Sequence, residues 1–319
     1  MNLSKIFKKF LAAFDGKSSR NELLLKKRLE VLNNINKINF AIILRKVSES
    51  ILKGNYELVC EILEPVIFGL ENSEVYKKQF NSNFYDFANN FEIVLYIKEQ
   101  KKESNLKIIN TKAPYRLIYY FYGAALSNCG KLDEAKKNLK IALRWDPVSS
   151  DILAEYAMHC YRERNYEEFY KATLKSFNYA ASLEQVALCY KYLGLYYRRV
   201  EKYQAAKCCF LLALKYVDDQ EIKRLVKLNN ASFRELGAET SAILNKSLDV
   251  LDDATIEEYG EKFSFPTKPS SLVIATCNEW GERFMTKGNS KLARYFYEKA
   301  YKLTKSMYLK TILENLEDN

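Results

Sequence analysis

A single histidine, five prolines and ten glycines stand among the 319 residues of this chain. One histidine leaves almost no room for His-based metal sites or for a triad built on an imidazole base. A sheet-rich fold of this length would want more turn residues, so the scarcity of glycine and proline favours helices. No stretch approaches the ~20 consecutive apolar residues a membrane-spanning helix needs. Lys5, Lys8 and Lys9 interrupt what would have to be the apolar core of a signal peptide. Glycine-rich phosphate loops, HExxH and GxSxG patterns are absent. The seven cysteines contain no CxxC pair, so they read as reduced, buried thiols of a cytoplasmic protein rather than as zinc ligands. His159 and Cys160 are neighbours on an expected helix and point to different faces, a poor dyad. The chain is therefore expected to have no catalytic residues, no cofactor, no metal and no small-molecule substrate.

Hydrophobic residues make up 48% of the chain and charged residues 28%, with 24 tyrosines and 18 phenylalanines. That is globular composition, and it excludes wholesale disorder. The net charge of +10 is concentrated at one end: residues 1–53 hold twelve Lys/Arg against four Asp/Glu. Within this segment Leu3, Ile6, Phe7, Phe10, Leu11 and Phe14 fall on an arc of about 140° of a helical wheel, with Lys5, Lys8 and Lys9 opposite. Asp15–Gly16 would end that helix. A basic amphipathic helix of this kind can lie in an anionic membrane interface, or pack on the rest of the chain as a cap. Nucleic-acid binding by the basic arm is a third, weaker option.

The middle of the chain repeats. Residues 116–149 place Tyr119, Tyr122, Gly123 and Leu126 on one helix. A turn at Asn128–Cys129–Gly130 follows, then Ala135, Leu139 and Ala142 on a second helix that Asp146–Pro147 stops. A second copy carries Leu153, Tyr156, Ala157 and Cys160, then Phe169, Thr173 and Ser176. A third carries Tyr190, Leu193, Gly194 and Tyr197, then Ala206, Phe210 and Ala213, with three extra residues assigned to the loop around 178–183. A late copy reads Cys277, Trp280, Gly281 and Phe284, then Ala293, Tyr297 and Ala300. Gly54–Asn55–Tyr56 matches Gly130–Lys131–Leu132, which makes 38–70 a divergent pair without the small crossing residues.

These copies resemble the tetratricopeptide repeat, a helix–turn–helix unit of ~34 residues. The resemblance covers about 116–317. It implies an all-α fold, a right-handed superhelical stack of antiparallel helix pairs, whose first helices line a concave groove. The boundaries expected are a basic amphipathic helix over 1–19, a helical region with the divergent repeat over 20–110 and repeats over 111–262. A loop over 263–271 and a last repeat with a capping helix over 272–319 complete them. Residues 99–112 read as a linker and 83–98 as one helix. The family's groove positions fall here on Tyr120, Phe121, Asn128, Glu155, Met158, Tyr161, Arg162, Lys191, Tyr192, Arg198 and Arg199. Family members that clamp acidic chaperone tails use a Lys and an Asn where this chain has Tyr120 and Ala124, which argues against that partner. The implied function is a non-catalytic scaffold that holds a peptide or protein segment. Arg162 and Arg198 fall outside the repeat's core positions, so reversing their charge is expected to spare the fold.

Overall fold

The computed structural model describes residues 19–34, 38–100, 108–235 and 252–316. The N-terminal arm, with Lys5, Phe7, Lys8, Lys9, Phe10 and Phe14, lies outside the described residues, as do residues 236–251, where the sequence predicts a helix over 239–251. Among the described residues there are sixteen helices. They are α1 (Ser19–Asn34), α2 (Phe40–Leu52), α3 (Tyr56–Glu71), α4 (Glu74–Phe80), α5 (Asn90–Glu99), α6 (Tyr115–Asn128), α7 (Leu132–Trp145) and α8 (Ser150–Arg162). Then come α9 (Tyr166–Tyr179), α10 (Leu183–Arg199), α11 (Tyr203–Tyr216), α12 (Gln220–Glu235), α13 (Asp253–Phe263), α14 (Ser271–Thr286), α15 (Ser290–Thr304) and α16 (Met307–Asn315). Consecutive helices pack on one another along the chain, in a helical repeat-like architecture.

Five pairs share one turn. In α2/α3, α6/α7, α8/α9, α10/α11 and α14/α15 the connecting residue enters the left-handed region. It is Gly54, Gly130, Arg164, Glu201 or Gly288, with φ between 60° and 78°. The next amide then donates to the carbonyl five residues back: Asn55 to Ser50, Lys131 to Leu126, Asn165 to Cys160, Lys202 to Tyr197 and Asn289 to Phe284, all at 2.8–2.9 Å. These bonds satisfy helix-end carbonyls that would otherwise lack partners. Asn55, Asn165 and Asn289 also cap the following helix through their side chains.

The two helices of a pair cross at a recurring place. A Cβ on Gly123 would lie 2.8 Å from Leu139, one on Gly194 2.4 Å from the Phe210 ring, and one on Gly281 2.6 Å from the Tyr297 ring. In each case the partner stands sixteen residues on. The same offset separates Ala157 from Thr173 in the degenerate second copy and Val47 from Leu63 in the divergent first pair, all buried. The position is occupied by Gly, Ala or Val.

Three local expectations change. The extra residues of the third copy do not lengthen the loop; they add a turn to α10, which spans 17 residues against 14 in α6, because Ser182 caps it early by accepting from Gln185 N. The single helix expected over 83–98 is broken into strand β1 (Phe84–Tyr85) and α5. The linker over 99–112 contains strand β2 (Ile109–Asn110), which pairs parallel with β1. Arg144 explains the break. Its guanidinium donates to the carbonyl of Phe84, within the expected helix, and to those of Phe80 and Ser82 just before it, which holds the chain extended at the point where the helix would start.

The late pair, α14/α15, does not stack on the end of the series. α14 packs on α9 and α5, and α13 packs on α11. Phe91 meets Phe296, and Lys98 pairs with Glu279 at 2.6 Å. The segment 264–270 that leads there is tied down along its length. Tyr197 and Tyr170 donate to the carbonyls of Phe263 and Ser264, Ser270 donates to the Asn178 carbonyl, and Phe265 is buried. Periodicity identifies a pair but not the surface on which it lands.

Asp146, which ends α7, is fully buried. Its Oδ2 lies 3.7 Å from Arg116 Nε, and Arg116 also donates its amide to Asp86 Oδ2 at 2.7 Å. Burial, reinforced by the neighbouring Glu92, holds the Asp146 carboxyl well above the ordinary range; Arg116 pulls the other way and does not win. Burial also raises Glu92 and Asp86. A carboxyl with a raised folded-state pKa binds its proton more tightly when folded. Stability is then greatest below the unfolded pKa of about 4 and falls as pH rises through the folded value. Asp146→Asn should flatten this decline in urea titrations run between about pH 4 and pH 8, and an unchanged slope would show that Asp146 is ionised throughout.

Candidate functional site

The first helices of three successive pairs form one face: α6 packs on α8, and α8 on α10. Tyr120 from α6, Met158 and Tyr161 from α8, and Leu188 and Leu195 from α10 are half-buried side chains packed on a shared core of Ala154, Tyr156, Phe169 and Tyr192. The rings form two sets, one within α6 and one that runs from α8 to α10 through the buried Phe169 of α9. Tyr120 lies 5.1 Å from Phe121, Tyr161 5.1 Å from Phe169, and Phe169 5.8 Å from Tyr192. Burial pushes the Tyr120 and Tyr192 phenols above their usual range, so both remain neutral donors. Apolar area of this kind, left half-covered beside hydroxyls, suits an amphipathic segment.

The charged positions are engaged to different degrees. Arg162 donates to Ser127 Oγ at 2.9 Å, Glu155 Oε1 at 3.2 Å and Asn128 Oδ1 at 3.3 Å. It therefore joins the end of α6 to α8, and charge reversal there would disturb the junction as well as the face, contrary to the expectation from its repeat position. Lys191 reaches Glu221 of α12 at 2.5 Å. Tyr192 is buried. Arg199 is exposed and stacks over the Tyr166 ring at 4.9 Å. Arg198 approaches Ser232 Oγ at 3.4 Å, and its Nε is buried without an acceptor.

Beneath Arg162 is a polar group the repeat pattern did not reveal. His159 is fully buried, with Nδ1 3.2 Å from Ser127 Oγ and Nε2 3.3 Å from Glu163 Oε1. The latter contact lacks hydrogen-bond alignment. Glu163 in turn accepts from Lys136 at 2.7 Å. Burial lowers the imidazole's pKa despite Glu163, so the ring stays neutral. Ser, His and Glu in sequence resemble a relay, but Ser127 and His159 are both closed off from solvent, so no substrate reaches the hydroxyl. The group holds α6, α7 and α8 in register. The i,i+4 spacing of the one histidine and Glu163 was the signal available.

Among the described residues no group of three His, Cys, Asp or Glu is arranged to hold a metal ion, and no helix is long and apolar enough to cross a membrane. All seven thiols are free. Burial raises Cys160 to about 11 and Cys189, Cys208 and Cys277 to about 12, which leaves them protonated and unreactive. No protein-family model and no curated protein matches the chain.

Proposed function

We propose that this protein is a non-catalytic scaffold of the tetratricopeptide class, a right-handed superhelix of antiparallel helix pairs that binds a peptide or protein segment along its first helices. The observation that carries the reading is the half-buried face of aromatic and aliphatic side chains shared by α6, α8 and α10. The common turn and the sixteen-residue crossing support the repeat assignment. A cytoplasmic setting belongs to the same reading and is supported by the seven unpaired thiols.

A photo-crosslinking amino acid placed at Phe121, Met158 or Leu195 should capture a common partner in cells. The same residue at Lys140 or Lys175, exposed on the second helices α7 and α9, should not. Capture only from the second helices would sink the proposal.

A further inference from the structure

The aromatic wall ends in a polar cavity of about 240 Å3 between α8, α10, α11 and α12. Tyr161, Arg198, Arg199, Glu201, Tyr203 and Ser232 line it. Arg198 carries the argument. A guanidinium is always protonated and presents its donors in a fixed plane. Here Nε is removed from solvent yet has no acceptor, and the only contact of the guanidinium within the described residues is the long one to Ser232. Buried donors are normally satisfied, so a donor left open beside a cavity is matched to something that enters it. Arg199 contributes a second guanidinium. Its face is occupied by Tyr166, which fixes the group while leaving its in-plane N–H donors available. Tyr161 and Tyr203 stand on the same lining. Among the described residues neither arginine has an ion-pair partner, although Glu201 stands on the same lining.

We propose that this cavity binds a carboxylate of the partner segment, held by Arg198 and Arg199. The proposal rests on the scaffold reading above and names the chemistry of its anchor. Two guanidinium groups and the Glu201 carboxylate leave one positive charge, which a carboxylate balances and a phosphate dianion would exceed. A guanidinium edge also matches two carboxylate oxygens, in a geometry a lysine does not reproduce.

The test is titration of the full-length protein with three probes: end-blocked hexaglutamate, hexaglutamine with a free C-terminal carboxylate, and inorganic phosphate. End-blocked hexaglutamine is the neutral control. The readouts are affinity and the NMR resonance of Arg198 Nε–H. At least one carboxylate probe should bind saturably and move that resonance, and the probe that binds distinguishes a side-chain carboxylate from a chain terminus. Arg198→Lys should weaken binding by about tenfold or more, Arg199→Gln should weaken it less, and Lys287→Gln, exposed at the end of α14, should leave it unchanged. Unaltered circular dichroism and melting of the Arg198→Lys protein would show that the fold is kept; should that variant unfold, Arg199→Gln and the Nε–H shift decide. Equal carboxylate binding by wild type and Arg198→Lys, a silent Nε–H resonance, or tighter binding of phosphate than of either carboxylate would each overturn the proposal. Partner cross-links from the first helices with no carboxylate binding would remove the cavity's role and keep the scaffold. Carboxylate binding with cross-links from the second helices alone would do the reverse.

Discussion

Gly194→Leu should lower the melting temperature by about 2–5 °C, a loss of about 1–3 kcal/mol or more. Even a bare Cβ at this position would stand 2.4 Å from Phe210 Cε1 and 2.5 Å from Cδ1. Phe210 is fully buried among the α10 and α11 side chains, so the ring cannot swing aside without displacing them. Leucine is a better helix former than glycine by about 0.5–1 kcal/mol, so the sign depends on which term is larger, and a contact this short makes the steric one win. Gly130→Ala is the informative contrast. It meets nothing within 4 Å, but its φ of +78° is one that an L residue rarely adopts, so any cost there is backbone strain. An unchanged midpoint for Gly194→Leu would mean that α10 and α11 do not cross at this residue.

Arg144→Ala is expected to cost about 3 kcal/mol or more, since hydrogen bonds to a charged donor contribute about 1.5–3 kcal/mol and orphaned acceptors add to the loss. One guanidinium satisfies three carbonyls, those of Phe80 at 2.5 Å, Ser82 at 2.6 Å and Phe84 at 3.0 Å. It also lies 5.2–5.5 Å from the rings of Phe80, Tyr85 and Trp145. Removing it frees the segment that carries β1, which is otherwise held to α7 by the Asp86 amide donating to the Trp145 carbonyl at 2.9 Å. Arg144→Lys keeps the charge but not the fork, so it should recover only part of the stability. Hydrogen exchange at 80–87 should quicken in both variants while the α10/α11 amides stay protected; uniform quickening would place Arg144 in the global core instead.

The helix pairs could be read from residue spacing because their crossings and turns are local. Gly123 faces Leu139 and Gly194 faces Phe210 as the periodicity implies, and Gly54, Gly130 and Gly288 mark left-handed turns. Arg164 and Glu201 occupy the same conformation without the residue that announces it; only the phase of the flanking copies locates those turns. What stayed hidden was long-range. Nothing beside Arg144 in sequence indicates that its acceptors lie some sixty residues earlier. Nothing in the late copy's own pattern says that it settles on α5 and α9. Among the positions on the first-helix face, type and spacing identified the aromatic wall, but not that Arg162 and Lys191 are neutralised within the chain while Arg198 is left with an open donor.

The way α14 and α15 return to α5 and α9 has a consequence for how the chain comes apart. An open array of helix pairs frays from either end, because each unit touches only its neighbours and its stability is close to a sum of nearest-neighbour contributions. Here Lys98 and Glu279, 181 residues apart, are joined across the body, with Phe91 and Phe296 beside them. The last pair cannot detach without uncovering Phe91, and closing so long a loop carries an entropic cost met late in folding. Units between 90 and 300 therefore cannot be deleted or inserted singly as in a linear array. The helices from α5 to α15 form a closed circuit of contacts and are expected to open together rather than unit by unit.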